Sequence, residues 1–144
     1  MIKRDYLQDQ IQQLGKVLGK ILAELLGTSL DSDINDVIVD TEQALEEHLD
    51  IRLRSAVRID DREFIDFLSE KNIKGDSVLE QMATLLFELG LRKKEMDDDD
   101  GARLLMSKAR VLYQFLAENA ATYSFDWMYK IQDLDDYLES GNTL

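Results

Sequence analysis

The chain has 144 residues, with 30 Asp and Glu against 17 Lys and Arg, and a formal net charge of −13. It contains no Cys, no Pro and one His, which excludes a disulfide framework, a thiolate metal site, a cysteine nucleophile and a multi-histidine metal cage. The acidity argues against nucleic-acid binding, because phosphate contacts need an excess of Lys and Arg.

With 44% hydrophobic and 33% charged residues, the chain reads as a folded, soluble, all-α protein, a single domain over residues 1–144. Average usage would be about 5% Pro, so its absence favours long uninterrupted helices. The first is predicted from Asp5 to Leu26, where Leu7, Ile11, Leu14, Leu18, Ile21 and Leu25 recur at a 4-3-4-3-4 spacing. Val17, Leu22 and Leu26 widen that stripe beyond a two-helix seam, and Gly15 and Gly19 leave room for another backbone. Gly27 fits a cap after the last turn. The stretch Leu14 to Leu26 is broken by Lys16, Lys20 and Glu24, too short and too charged to span a bilayer, so no membrane insertion is expected. Asp5 and Asp9 follow the basic start too closely for a signal peptide. A bacterial cytoplasm is the expected setting.

A second helix begins after Asp31-Ser32-Asp33, whose side chains suit an N-cap. Ile34, Ile38, Thr41 and Leu45 carry its inner face. From Glu24 to Ile51 there are nine acids and no Lys or Arg, whereas residues 1–23 hold four bases and two acids. A mildly basic first helix thus precedes a strongly acidic second one, and their packing together is electrostatically favourable. Over 51–59, Ile51, Leu53, Val57 and Ile59 alternate with Arg52, Arg54 and Arg58, a period that suits a strand. No second strand exists to pair with it, so the stretch is read as a helix end and connector. Asp60 with Glu63 resembles a capping box opening a short helix through Phe64, Ile65, Phe67 and Leu68.

Asn72 to Gly75 interrupts the pattern, and Ser77 with Glu80 suggests another capping box. The fourth helix, about Ser77 to Met96, is apolar nearly all round and therefore central. The fifth, about Ala102 to Ala121, places Leu105, Ala109, Leu112 and Leu116 on one face. A sixth follows Ser124, with Trp127, Ile131, Leu134 and Leu138 facing inward, and the tail 140–144 is expected to fray. About six helices with short connections make antiparallel hairpins packed as a bundle or short superhelix.

The fourth and fifth helices, about 77–121, resemble one tetratricopeptide (TPR) hairpin. Leu86, Leu89 and Gly90 fall at the first positions of that pattern, and Ala102, Met106 and Ala109 at the later ones. Leu86 replaces the aromatic, Lys93 the Tyr, Met106 the Phe and Gln114 the closing Pro. The match covers about a quarter of the chain, and no second copy is visible. The whole chain, opening Met1-Ile2-Lys3-Arg4-Asp5-Tyr6, is similar to small uncharacterised bacterial helical proteins, which implies no particular activity. The TPR resemblance implies peptide binding on the first-helix surface, here Thr84, Phe87, Leu91 and Lys94. Phe87 and Leu91 are large and apolar, so another helix of the chain, the first above all, is expected to fill that groove.

Asp97 to Asp100 before Gly101 fails the calcium-loop pattern, since Met96 would stand at position one and Ser107 at twelve. It is read as N-terminal capping. His48 forms no His-Glu-x-x-His motif and no Glu-x-x-His pair, and is read as a residue at the core edge. Arg54, Arg58 and Arg62 could contact an anion, or neutralise the acidic second helix. Tyr123 and Tyr129 are the expected exposed aromatics of the last helix, with Trp127 in the core.

The candidate interaction surface is therefore Phe87, Leu91, Lys94, Tyr123 and Tyr129. No catalytic, cofactor-binding or metal residue is assigned. The expected function is non-enzymatic, a protein-interaction or structural module with a basic protein partner and self-association through the first helix. The alternative is a small helical-bundle enzyme or ligand-binding protein with a pocket between helices.

Overall fold

The computed structural model describes residues 2–28, 33–122 and 124–140, with the side chains of 2–7 and 140 outside the description. Among these residues the chain forms seven helices and no strand: α1 (Ile2–Leu26), α2 (Ile34–Leu49), α3 (Leu53–Ala56), α4 (Asp61–Glu70), α5 (Asp76–Glu95), α6 (Asp99–Asn119) and α7 (Phe125–Ser140). The extra helix is α3, a single turn inside the predicted connector.

α5 and α6 form an antiparallel hairpin at the centre of the molecule. Leu85, Leu86 and Leu89 from one helix and Leu105, Ala109, Leu112 and Leu116 from the other are buried in the core. The helices come close where side chains are small: a Cβ on Gly90 would lie 3.0 Å from the Met106 thioether. α7 runs antiparallel to α6, with Asp135 paired to Arg110 and the Leu138 carbonyl accepting from Arg103. α1 runs parallel to α5, its Gly15 against Val78 and its Gly19 against Gln81 at 3.1 and 3.3 Å from the position of an added Cβ. α2 returns along α1, with Val37 to Ala44 beside Ile21 to Thr28. α4 is tied to α6 by a buried Lys108 ammonium paired with the half-exposed Asp61 carboxylate.

Three helix starts follow local sequence. The carboxylates of Asp33, Asp60 and Asp98 accept from the N–H groups of Asn35, Arg62 and Gly101 at 2.8, 2.9 and 3.0 Å. The aspartate run at 97–100 therefore caps α6, as the sequence predicts. α5 starts differently: its N-cap is Gly75 at φ +91, with no side-chain cap. Ser77 lies inside the helix, and Glu80, expected in a capping box, accepts a hydrogen bond from the Trp127 indole N–H. Gly27 follows the last turn of α1 without a left-handed φ.

Two helix ends depend on tertiary partners. Neither α1 nor α7 has a basic residue in its last turn. Arg92 of α5 donates to the Leu25 carbonyl of α1 at 3.3 Å, and Arg103 of α6 donates to Leu138 of α7 at 2.9 Å. Each guanidinium brings a cation to the last turn of a helix, and at Leu25 it adds to the hydrogen bond from the Thr28 hydroxyl at 2.8 Å.

The alternation over 51–59 combines two short conformations. Arg52 is extended (φ −86, ψ 97), which places Ile51 and Leu53 on the same inner side. Leu53, Ala56 and Val57 are then buried at the i, i+3, i+4 spacing of a helical turn. The arginines between them are exposed.

Candidate functional site

The predicted peptide-binding face of α5 is covered, and by a different helix from the one expected. The Lys130 ammonium of α7 stands 4.4 Å from the centre of the Phe87 ring, and Lys94 stands 5.0 Å from that of Tyr137. Thr84 shares a 3.0 Å hydrogen bond with the buried Tyr113 hydroxyl, while Leu91 is half-buried against the core. α1 does not fill this groove. It meets α5 at Val78 and Gln81, a different side of the helix from Glu80, Thr84 and Phe87 because successive residues turn by about 100°. α7 was expected to bury only its own inward stripe, and that stripe carries it across this face.

Burial of Trp127, Ile131 and Leu134 turns the opposite arc of α7 outward. Phe125 is 70% exposed, Tyr129 64% and Met128 45%. These three belong to the few large apolar side chains that stand out into solvent, and they lie at i, i+3 and i+4 on one helix. Around and beyond them Asp126, Asp133, Asp136 and Glu139 are exposed. The helix has one cation, Lys130, and it is spent inward on Phe87. The outer face of α7 is thus aromatic at its start and anionic along the rest. Sequence reasoning found Tyr129; it missed Phe125 and Met128, although both fall opposite the Trp127–Leu138 stripe. Tyr123 lies outside the described residues.

The arginines are divided. Arg54 and Arg58 line a cleft of about 330 Å³ between α2, α3 and the facing ends of α5 and α6, with Glu42, Lys93, Asp98 and Asp100. Arg62 sits in the first turn of α4, exposed and 3.6 Å from Asp60. They do not form one row because α3 ends at Ala56 and α4 starts anew at Asp61. Within the cleft Glu42 takes Arg54 at 3.1 Å and Lys93 at 4.0 Å, and Lys93 also reaches Asp98 at 3.5 Å. Arg52 pairs with Glu46 at 3.3 Å. Two of the connector arginines therefore neutralise acids of α2, and the cleft works as an ion-pair network that joins three helices.

No family model, curated protein or solved structure matches this chain. The surfaces above therefore carry the functional reading alone. His48 is exposed in the last turn of α2, not at the core edge. Among the described residues no group of three or more His, Cys, Asp and Glu is placed to hold a metal ion. No helix among them is long and apolar enough to cross a membrane.

Proposed function

We propose that this protein is a non-enzymatic interaction module of a bacterial cytoplasm, in which the TPR-like α5–α6 hairpin holds α7 as a docking face for a basic, amphipathic helical segment. The observation that supports this reading is the outer arc of α7. Phe125, Met128 and Tyr129 offer apolar anchors, and aromatic residues and Met are enriched where interfaces carry their energy. The acids beyond them select a partner of opposite charge and speed its approach. Helix-on-helix recognition uses anchors at this i, i+3, i+4 spacing. A second reading, self-association through α1, is favoured by charge. Residues 1–23 carry four bases and two acids, a net +2, so the rest of the chain carries −15.

Photo-crosslinking tests the docking face. p-Benzoylphenylalanine is placed at Tyr129, and at exposed Asp66 on α4 as a control, and the linked segments are identified by mass spectrometry. The reading expects adducts at 129 well above those at 66, in segments that are net positive and amphipathic. Equal labelling at both positions, or acidic segments at 129, overturns it.

A further inference from the structure

The cleft beside α3 holds two charges that its ion-pair network does not use. Its lining carries three cations, Arg54, Arg58 and Lys93, and three carboxylates, Glu42, Asp98 and Asp100. Glu42 pairs with Arg54 and Lys93, and Lys93 also reaches Asp98. Arg58 and Asp100 are left over. Both are exposed, and among the described residues neither has an ion pair or a side-chain hydrogen bond. They line one cleft with opposite charges and do not pair with each other.

Local backbone brings the arginines together. The turn of α3 continues past its last residue, with the Arg58 N–H donating to the Ser55 carbonyl and the Ile59 N–H to the Ala56 carbonyl, each at 3.2 Å. Arg54 and Arg58, four apart, therefore fall on one side of the turn. Leu53 and Val57, also four apart, are buried and form part of the cleft wall. Arg54 meets Glu42 through Nε, which leaves the two terminal nitrogens of its fork for a second acceptor. On the opposite wall Asp100 lies in the first turn of α6 and Leu104 one turn further on, so they too share a side. The Gly101 N–H is taken by Asp98 at 3.0 Å, so an anion in the cleft falls to the arginines.

This arrangement selects a molecule that carries both charges. A lone anion would enter a site with three carboxylates, on a chain of net charge −13. A lone cation would meet the three cations instead. A zwitterion adds no net charge and gives Arg58 and Asp100 a partner each. The volume of about 330 Å³ is at the small end of ligand pockets, and the apolar side chains on both walls suit an aliphatic chain.

We infer that the cleft binds a small aliphatic amino acid, with its carboxylate on Arg58 and Arg54, its ammonium on Asp100 and its carbon chain against Leu53, Val57 and Leu104. The site is separate from the docking face of α7 and does not depend on it.

Heteronuclear NMR titration tests the site with L-leucine, ε-aminocaproate, caproate and hexylamine as probes. L-leucine carries its two charges side by side and ε-aminocaproate at opposite ends of a chain, so the pair reports the span that the cleft takes. At least one of them is expected to shift the amides of Val57, Arg58 and Gly101 saturably, with a dissociation constant on the order of 1 mM. Caproate and hexylamine, with one charge each, should bind about 10-fold more weakly. Arg58 and Asp100 are exposed, so either can be changed with the fold kept. Arg58→Gln and Asp100→Asn should each weaken the zwitterion about 10-fold. Asp100→Asn should not weaken caproate, and Arg58→Gln should not weaken hexylamine. The site is overturned if neither zwitterion saturates below roughly 30 mM, if a singly charged probe binds as tightly as the zwitterion, or if the variants bind it as the wild type does.

Discussion

Replacing Gly90 by Ala sets two known effects against each other where α5 packs on Met106 of α6. In a helix interior the change should stabilise by about 1 kcal/mol, since glycine gives up more backbone freedom on folding. The added methyl, however, would lie 3.0 Å from both Sδ and Cε of Met106 and 3.1 Å from its Cγ. Three atoms along the thioether must therefore shift together, and Met106 is buried in the core. Overpacking of this kind costs about 1–3 kcal/mol, so Gly90→Ala is expected to lower stability by about 1 kcal/mol despite the better propensity. Met106→Ala alone should cost about 2–5 kcal/mol through the cavity it leaves. In the double variant the new methyl occupies vacated space and the propensity gain is kept. The pair should then be more stable than the sum of the singles by about 1–2 kcal/mol. Urea unfolding followed by Trp127 emission and by far-ultraviolet circular dichroism gives all four free energies and checks that the transitions coincide. A Gly90→Ala chain stabilised by the full propensity gain, or a cycle additive within about 0.3 kcal/mol, would refute close packing at this position.

Further outcomes are expected from the same contacts. Arg92→Met removes the charged donor at the end of α1 and should cost about 1–2 kcal/mol, whereas Arg52→Met, which breaks an exposed pair with Glu46, should stay within about 0.5 kcal/mol in the same urea assay. Asp61→Asn strands the buried Lys108 ammonium and is expected to destabilise more than Lys108→Met, which removes the buried charge itself, by a margin of about 1 kcal/mol; the reverse order in thermal unfolding contradicts the pairing. The Lys71 ammonium hydrogen-bonded to Asp50, and the Arg62 N–H donated to Asp60, hold both carboxyls below their usual 3.8. Their stabilisation is therefore complete above that value and is lost as pH falls through the depressed folded values; Asp50→Asn with Asp60→Asn should flatten the acid limb of stability against pH. Burial raises the Tyr113 phenol above its usual 10.0, so its share of stability persists below pH 10 and declines only as pH rises through the raised folded value, with Tyr113 ionising late in an absorbance titration at 295 nm.

Much of the fold was legible in the sequence because the signals concerned are local. Apolar residues at 3-4 spacing dictate one buried stripe per helix, and aspartates at 33, 60 and 98 reach N–H groups two or three residues away. Six of the seven helices among the described residues therefore fall where periodicity places them, three of them with the predicted aspartate caps, and α3 escapes because one turn is too short to show a period. The buried Trp127 and the outward Tyr129 follow from the same stripe on α7.

Tertiary structure alone decided which helix covers which face. The stripe on α1 was wide enough to suggest that α1 fills the groove beside Phe87, but burial is non-directional and a stripe does not name its partner. Only the packed chain shows α7 there, with Lys130 over Phe87 and the Trp127 indole on Glu80. For the same reason Glu80 is not a cap, Arg62 is parted from Arg54 and Arg58, and the ends of α1 and α7 borrow their cations from α5 and α6. A hydrogen bond between residues 67 positions apart leaves no periodic trace in the chain. The sequence by itself determined the helices and their inner faces; three-dimensional packing determined what those faces meet and which face of α7 stays in solvent.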